Sequence, residues 1–374
     1  MEHCEVLIVG GGPAGSSCAR ELARRGFEVT VMDRSCFPRD KVCAGWITPQ
    51  IIDSLELDLG AYAHGRTLQP VSGFASGLMS GAPITVRYLT PISYAIRRCE
   101  FDDYLLRRSG ARLLLGSAIE SLEQLANGWL VNGRLHCQLL IGAGGHFCPV
   151  ARQLGAHVGR AERAIYAQEV ELKLSDSDSS RCRVAAAVPE LYFCDDLSGY
   201  GWCVRKGEYL NIGLGREAPN HLAAELHRFW SALVASDRAP RAAQPGFKGH
   251  AYLLYNQSQR RWFSDNCLLI GDAAGLAYPH SGEGIRPAVD SALLAARVIG
   301  ESRGDYRSSR LAAYARALES RLGARTRAGA MGQAGRFTGL RQRAGRFLMR
   351  RESFVRHVLI DQYFLHRWQS ALRA

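Results

Sequence analysis

Val6-Leu7-Ile8-Val9-Gly10-Gly11-Gly12-Pro13-Ala14-Gly15 lies near the start of the chain, and its reading decides the fold. Four apolar residues in a row read as a strand buried on both faces. Gly10, Gly12 and Gly15 then follow a Gly-x-Gly-x-x-Gly pattern leading into an amphipathic helix that closes at Gly26. Gly10 allows a tight turn, Gly12 lets a diphosphate reach the backbone, and Gly15 lets the helix pack on the strand. Pro13 and Ala14 begin the helix, whose first N–H groups have no partner within it and attract phosphate. A second strand over Phe27–Met32 runs into Asp33, eighteen residues beyond Gly15. There a carboxylate accepts hydrogen bonds from a ribose hydroxyl pair. Strand, glycine turn, helix, strand and terminal acid together predict a bound dinucleotide. Arg34, directly after the acid, joins the candidate cofactor residues.

A second stretch narrows the cofactor. Cys267-Leu268-Leu269-Ile270-Gly271-Asp272-Ala273-Ala274-Gly275 is an apolar strand that turns at Gly-Asp, and Pro279-His280-Ser281-Gly282-Glu283-Gly284-Ile285 follows. Together they resemble the second FAD fingerprint of flavoproteins built like para-hydroxybenzoate hydroxylase. The resemblance implies that Gly271 and Asp272 meet the ribityl chain and that Gly282, Gly284 and Ile285 line the flavin ring. Backbone N–H groups at a helix start also suit the negative charge of a reduced flavin. The two fingerprints stand about 260 residues apart, in the expected order.

Three further segments resemble the geranylgeranyl reductase family of FAD-dependent oxidoreductases. Phe37-Pro38-Arg39-Asp40-Lys41-Val42-Cys43-Ala44-Gly45 is similar to its Pro-Arg-Asp-Lys-x-Cys-Gly-Gly loop. Arg98-Cys99-Glu100-Phe101-Asp102 is similar to its Arg-x-x-Phe-Asp segment, and Tyr200-Gly201-Trp202-Cys203-Val204-Arg205 with Ile212-Gly213-Leu214-Gly215 to its cavity motif. The resemblance covers about residues 1–300. It implies that Arg98 contacts FAD and that Lys41, Cys43 and Ala44 sit beside it. It also implies a substrate cavity walled by Tyr200 and Trp202, two apart on one strand face. Trp46 and Tyr94 are further wall candidates. Cys43 and His280 are the candidates for supplying a proton, and Arg39 and Lys41 for meeting a substrate phosphate or holding the loop. The chain departs from the pattern at Ala44, which replaces a glycine, and at Val204 and Arg205, which replace Phe-Pro. Arg205 is expected to add a cation to the cavity. Gly144, in Ile141-Gly142-Ala143-Gly144-Gly145-His146, stands where related hydroxylases carry an Asp. That departure weakens the case for NADPH-driven hydroxylation.

Composition bounds the rest. The chain has 374 residues, 47% hydrophobic and 22% charged, a globular balance. No run of 18 apolar residues appears, and no secretory signal is read at the N-terminus, so a cytoplasmic location is expected. Eleven scattered cysteines without Cys-x-x-Cys or zinc spacing read as reduced thiols, and no metal site is expected. Of the net charge of +12, residues 301–374 carry sixteen arginines against five acids, +11 in all. That basic segment reads either as a solvated helical face or as a surface for a diphosphate, anionic lipid heads or an acidic carrier. Nucleic acid is not expected, because no recognition motif accompanies the charge.

The expected architecture is α/β: a Rossmann-type FAD-binding domain interleaved with a mostly antiparallel β substrate domain, plus C-terminal helices. The FAD-binding part takes residues 1–64, 93–163 and 259–300, the β domain 65–92 and 164–258, and basic helices 301–374. Residues 165–215 alternate as a half-exposed sheet would. A strand is expected at Tyr252–Tyr255 and a helix at Asp290–Glu301. From Arg307 the pattern is helical to the end, with a break near residues 329–340. The leading functional reading is reduction of C=C bonds in an apolar, isoprenoid-like substrate, phosphate-bearing or carried, by hydride from reduced FAD. An FAD-dependent monooxygenase (a hydroxylase or epoxidase ahead of a halogenase) and a non-catalytic flavin redox sensor are the alternatives. Because no second Gly-x-Gly-x-x-Gly with a downstream acid exists, NAD(P)H or another reductant would dock transiently. Peripheral contact with an anionic membrane surface through Phe347-Leu348-Met349 or Val358-Leu359-Ile360 is a further expectation.

Overall fold

The computed structural model describes residues 1–157, 162–217, 219–241, 246–325 and 338–373. Its first layer is a mixed sheet whose parallel centre holds the strand Glu2–Val9. Val6 to Val9 pair with Leu139 to Gly142 on one side and with Val29 to Met32 on the other. A strand with neighbours on both edges and covered on both faces must be apolar throughout, which explains the unbroken Val-Leu-Ile-Val run. The helices Pro13–Arg24 and Ile285–Ser302 pack together over this sheet. The strand Leu135–Gly142 divides its edge. Its first half pairs antiparallel with Gly128–Val131, and its last residues pair parallel with Cys267–Leu269.

The second layer is a seven-stranded sheet, antiparallel except where Glu190–Phe193 runs parallel to Gly73–Leu78. It is not half-exposed, as the alternation suggested. One face packs under the helix Leu222–Ala235, through Ile212, Leu214, Phe229 and Trp230. The other face is covered by the C-terminal segment, through Met349, Val355, Leu359, Ile360 and Phe364. Apolar side chains therefore stand on both sides of strands such as Gly199–Lys206 and Tyr209–Arg216. A small sheet of Trp46–Ile47, Ser93–Ile96 and Leu68–Val71 accompanies the two larger ones.

Other elements shift from their expected places for identifiable reasons. The helix expected at Asp290 begins at Ile285, because Pro287 falls in its first turn, where a missing N–H costs nothing. The strand expected at Tyr252–Tyr255 lies earlier, at Lys248–Leu253, in register with Ala164–Glu169. The expected break near 329–340 falls largely on residues 326–337, outside the described residues; helix is present again over Thr338–Leu348. The chain is not helical to its end. After a π-helical stretch, Val355–Phe364, residues 365–373 run irregularly. Arginines capture their carbonyls there: Arg286 donates to His366 O, Gln369 O and Ser370 O, and Arg321 also to Ser370 O. Part of the basic segment is thus spent inside the molecule. Arg321 pairs with buried Asp290, and Arg325 lies over the Trp262 ring at 3.4 Å.

All eleven cysteines are free thiols. Among the described residues no helix is long and apolar enough to cross a membrane, and no group of three or more His, Cys, Asp or Glu is placed to hold a metal ion.

Candidate functional site

The glycine turn makes a cradle. Gly10 has φ +114°, and a Cβ there would lie 2.5 Å from Ala143 O; a Cβ at Gly15 would overlap Gly10 O. These two glycines let strand, turn and helix approach each other. Gly12 differs: a Cβ there would meet only Arg39 Nη2, at 3.4 Å. Gly12 is also the helix cap, with no side chain to satisfy the N–H groups of Ala14 and Gly15, and Pro13 has none to offer. The result is open space facing unpaired N–H groups at the positive end of a helix, with a guanidinium beside it. Asp33 ends its strand with Oδ2 accepting from Gly11 N (2.8 Å) and Oδ1 from Ser35 N (2.9 Å). Each oxygen keeps a lone pair for a ribose hydroxyl. These residues fit the diphosphate and adenosine sugar of FAD. Arg34 is exposed just beyond.

The second fingerprint closes on the first. A Cβ on Gly271 would stand 2.9 Å from the Ala14 Cβ, and one on Gly284 would stand 3.1 Å from Asp272 Oδ1. A Cβ on Gly282 would overlap the Tyr252 hydroxyl. Ile285 follows, buried at the start of its helix. Gly144 sits at the same turn, since Ala143 and Gly144 are the neighbours of Gly10.

A cluster the sequence reading did not assemble joins these parts. Lys41 Nζ lies 2.5 Å from His250 Nε2, and Asp272 Oδ2 is 3.5 Å from the same nitrogen. Burial pushes Lys41 down to about 8, against the attraction of Asp272. Burial and then Lys41 push His250 down to about 4. Burial alone would raise Asp272, but His250, Lys41 and Arg98 outweigh it and hold the carboxyl at about 2. Arg98 heads the helix Arg98–Arg107 and is gripped by buried Asp102 through Nε (2.8 Å) and Nη2 (2.9 Å); Arg39 reaches the same carboxylate at 3.3 Å. Burial would lower Arg98, but Asp102 and the Cys43 sulfur raise it. His250 and Tyr252 were not singled out from sequence, and Asp102 was quoted only as the end of the Arg-x-x-Phe-Asp segment. Gly249-His250-Ala251-Tyr252 places two polar rings two residues apart, and that spacing was the available signal.

His250 makes the fold acid-sensitive. It is neutral when folded down to about pH 4, whereas an unfolded histidine binds its proton near 6.5. Across that window the unfolded chain holds more protons, so stability falls as pH falls, by up to about 3 kcal/mol for this group. Glu169 and Glu283, raised to about 7 mainly by burial, act in the opposite direction. The variant comparison cancels them: His250→Gln is expected to lose about 1–3 kcal/mol less than the parent between pH 6.5 and 4. Urea unfolding at several pH values checks this; parallel losses in both proteins would refute it.

The residues expected to wall a substrate cavity lie on the face of the seven-stranded sheet under the C-terminal segment. Tyr200 and Trp202 do share a face, and Val204 with them. Tyr200 OH donates to Ser281 O (2.6 Å), Trp202 Nε1 to Asn211 Oδ1 (2.7 Å), and Asn211 Nδ2 to Cys43 O (3.4 Å). The wall is thereby hooked to both cofactor loops. Trp46 and Phe74 complete it, 5.9 Å apart edge to face, with Val42 and Ala44 packed alongside. Two expected wall residues lie elsewhere. Arg205 alternates to the opposite face, where it donates to Ser179 Oγ (2.7 Å) and Ser179 O, so it adds no cation to the cavity. Ala95 faces the wall, and so Tyr94, its neighbour, packs on the other side with Ile47, Phe101 and Cys43. Cys43 Sγ accepts from Gly45 N (3.3 Å). His280 is exposed and stacks on Tyr363 at 4.3 Å, without a hydrogen bond to another described residue.

Comparison with known proteins places the chain among FAD-dependent oxidoreductases. Residues 5–74 match the FAD dependent oxidoreductase family, and residues 127–326 match the FAD binding domain family. A menaquinone reductase of Mycobacterium tuberculosis is 32% identical over 325 residues, covering 80% of this chain and 77% of that protein. Digeranylgeranylglycerophospholipid reductase 3 of Methanosphaera stadtmanae is 25% identical, covering 86% and 84%. A geranylgeranyl bacteriochlorophyll reductase-like protein from Thermoplasma acidophilum shares the fold, with TM-score 0.73, 20% identity and coverage of 93% and 88%. The chain binds FAD, is an oxidoreductase, and belongs to the geranylgeranyl reductase family of FAD-dependent oxidoreductases.

Proposed function

We propose that this oxidoreductase reduces a carbon–carbon double bond in an apolar, isoprenoid-like substrate, with electrons brought by NAD(P)H or another transient donor. The observation that carries the proposal is the aromatic wall of Trp46, Phe74, Tyr200 and Trp202, tied through Ser281 and Asn211 to the two loops of the cofactor site. FAD, when bound and reduced by that donor, would supply the hydride for one alkene carbon. The other carbon needs a proton. Cys43 is our candidate donor: it lies on the loop beside the cofactor residues, and its backbone carbonyl accepts from Asn211, which also holds Trp202 of the wall. The apolar wall holds the chain in place and keeps water from the reacting carbons. His280, exposed beside Tyr363, is better suited to holding the C-terminal segment than to donating that proton.

The test is anaerobic stopped-flow. Reduced enzyme is expected to be reoxidised by prenyl compounds without oxygen. Reoxidation that appears only with O2, together with an oxygenated product, would replace this reading with a monooxygenase.

Peripheral contact with an anionic membrane belongs to the same proposal. Phe347 and Leu348 are exposed among Arg343, Arg346, Arg350 and Arg351, whereas Met349, Leu359 and Ile360 are buried in the wall cluster. Co-sedimentation with anionic vesicles at low salt and release at high salt is expected; no binding at low salt would remove the membrane from the proposal.

A further inference from the structure

Phe364 occupies the middle of the aromatic wall. It is fully buried, and its ring centroid lies 5.4 Å from Tyr200, 6.0 Å from Trp46 and 6.2 Å from Phe193. It comes at the end of the π-helical segment Val355–Phe364, which also inserts Val355, Leu359 and Ile360. The segment is tied at both ends. On one side Asp361 accepts from Tyr88 OH and Arg367 Nη1, each at 3.0 Å. On the other, Tyr278 OH donates to Gln369 Oε1 (2.8 Å), the Tyr278 and His366 rings stack at 3.7 Å, and Arg286 holds the carbonyls beyond. Tyr278 and Arg286 flank the glycine loop at the cofactor, so the segment is fastened to the edge of the reaction site.

The wall is not satisfied by this packing. Trp46 Nε1, Ser76 Oγ and Ser93 Oγ are buried without a hydrogen-bond partner. Ser76 shares a strand face with Phe74, and Ser93 with Ala95, both members of the wall cluster. Buried donors are normally paired, and a purely hydrocarbon neighbour leaves them unpaired. A ligand with an oxygen function on its chain would pair them.

We propose that Phe364 is the end wall of the substrate channel and sets the length of isoprenoid chain that enters. The channel then takes an oxygenated isoprenoid, with the hydrocarbon part against the aromatic rings and an oxygen within reach of Trp46 Nε1, Ser76 or Ser93. The inference rests on the alkene-reductase reading for its substrate class, but binding alone tests it. Removing the ring extends the channel, and a pocket discriminates poorly between chains until one meets its end.

Oxidised, FAD-loaded enzyme and Phe364→Ala are titrated with saturated, unreactive prenyl-type alcohols of increasing length, following the flavin absorbance. The parent is expected to stop gaining affinity at some length. Phe364→Ala is expected to move that limit to longer chains, with a gain of about tenfold for the longest. Phe364→Leu, a smaller change, should move it in the same direction and serves where the alanine variant folds poorly. Turnover with geraniol, farnesol and geranylgeraniol should shift in parallel. An identical length profile in parent and variants, with normal FAD content, would overturn the inference. If the length limit moves while no alcohol reoxidises reduced enzyme anaerobically, the gauge stands and the alkene-reductase reading falls.

Discussion

Gly12→Val is expected to give a folded, colourless protein. The backbone at Gly12 has φ −72° and ψ −175°, a region open to every residue, so a side chain there causes no strain. Nothing but the tip of Arg39 stands near its missing Cβ. A valine would instead fill the space in front of the Ala14 and Gly15 N–H groups. Two charge-assisted hydrogen bonds to phosphate are then lost, about 3–6 kcal/mol, or at least a hundredfold in FAD affinity. Gly10 and Gly15 make the necessary contrast. Gly10 has a positive φ with Ala143 O close by, and Gly15 lies against Gly10 O, so substitution at either disturbs the strand–helix junction itself. Flavin absorbance of the purified variant, an FAD titration and circular dichroism check the expectation. A yellow Gly12→Val protein with parental affinity would sink the cofactor assignment.

The positions that carry that prediction were legible in sequence because each obeys a local rule. A four-residue apolar run beside glycines has few conformations open to it, and Asp33 follows from where the second strand must stop. The Cys267–Gly275 stretch was readable for the same reason. What escaped was set by partners far along the chain. Nothing near His250 announces that its ring meets Lys41, 209 residues away. Tyr94 and Arg205 were read as wall residues but stand on the opposite faces of their strands, since strand phase depends on which neighbour covers which side. The C-terminal segment misled most. Its apolar residues have no clean period, because a π-helical turn shifts the spacing between Val355 and Phe364. The sheet face left for solvent was therefore the one this segment covers.

Asp102 carries the second large effect, and it separates holding the fold from holding the cofactor. The residue has no exposed surface, and its carboxylate takes two bonds from Arg98 and faces Arg39. With Nε and Nη2 engaged, Arg98 is locked in one orientation. Asp102→Ala strands a buried guanidinium, and a broken buried pair costs about 3–5 kcal/mol. Asp102→Asn keeps the volume and one acceptor, so its loss should be smaller. The double variant Asp102→Leu with Arg98→Met removes both charges and is expected to recover most of the stability, because apolar replacements of a buried pair are often neutral. It should not recover FAD affinity, since the oriented Arg98 is gone and Arg39 has lost its anchor near Gly12. Urea unfolding without flavin reads the first quantity and FAD titration the second. Measuring without flavin matters, because bound FAD would add its own stabilisation to whichever variant still binds it. If Asp102→Ala unfolds within about 1 kcal/mol of the parent, the ion pair is not what fixes Arg98. If the double variant binds FAD as the parent does, Arg98 has no part in holding the cofactor.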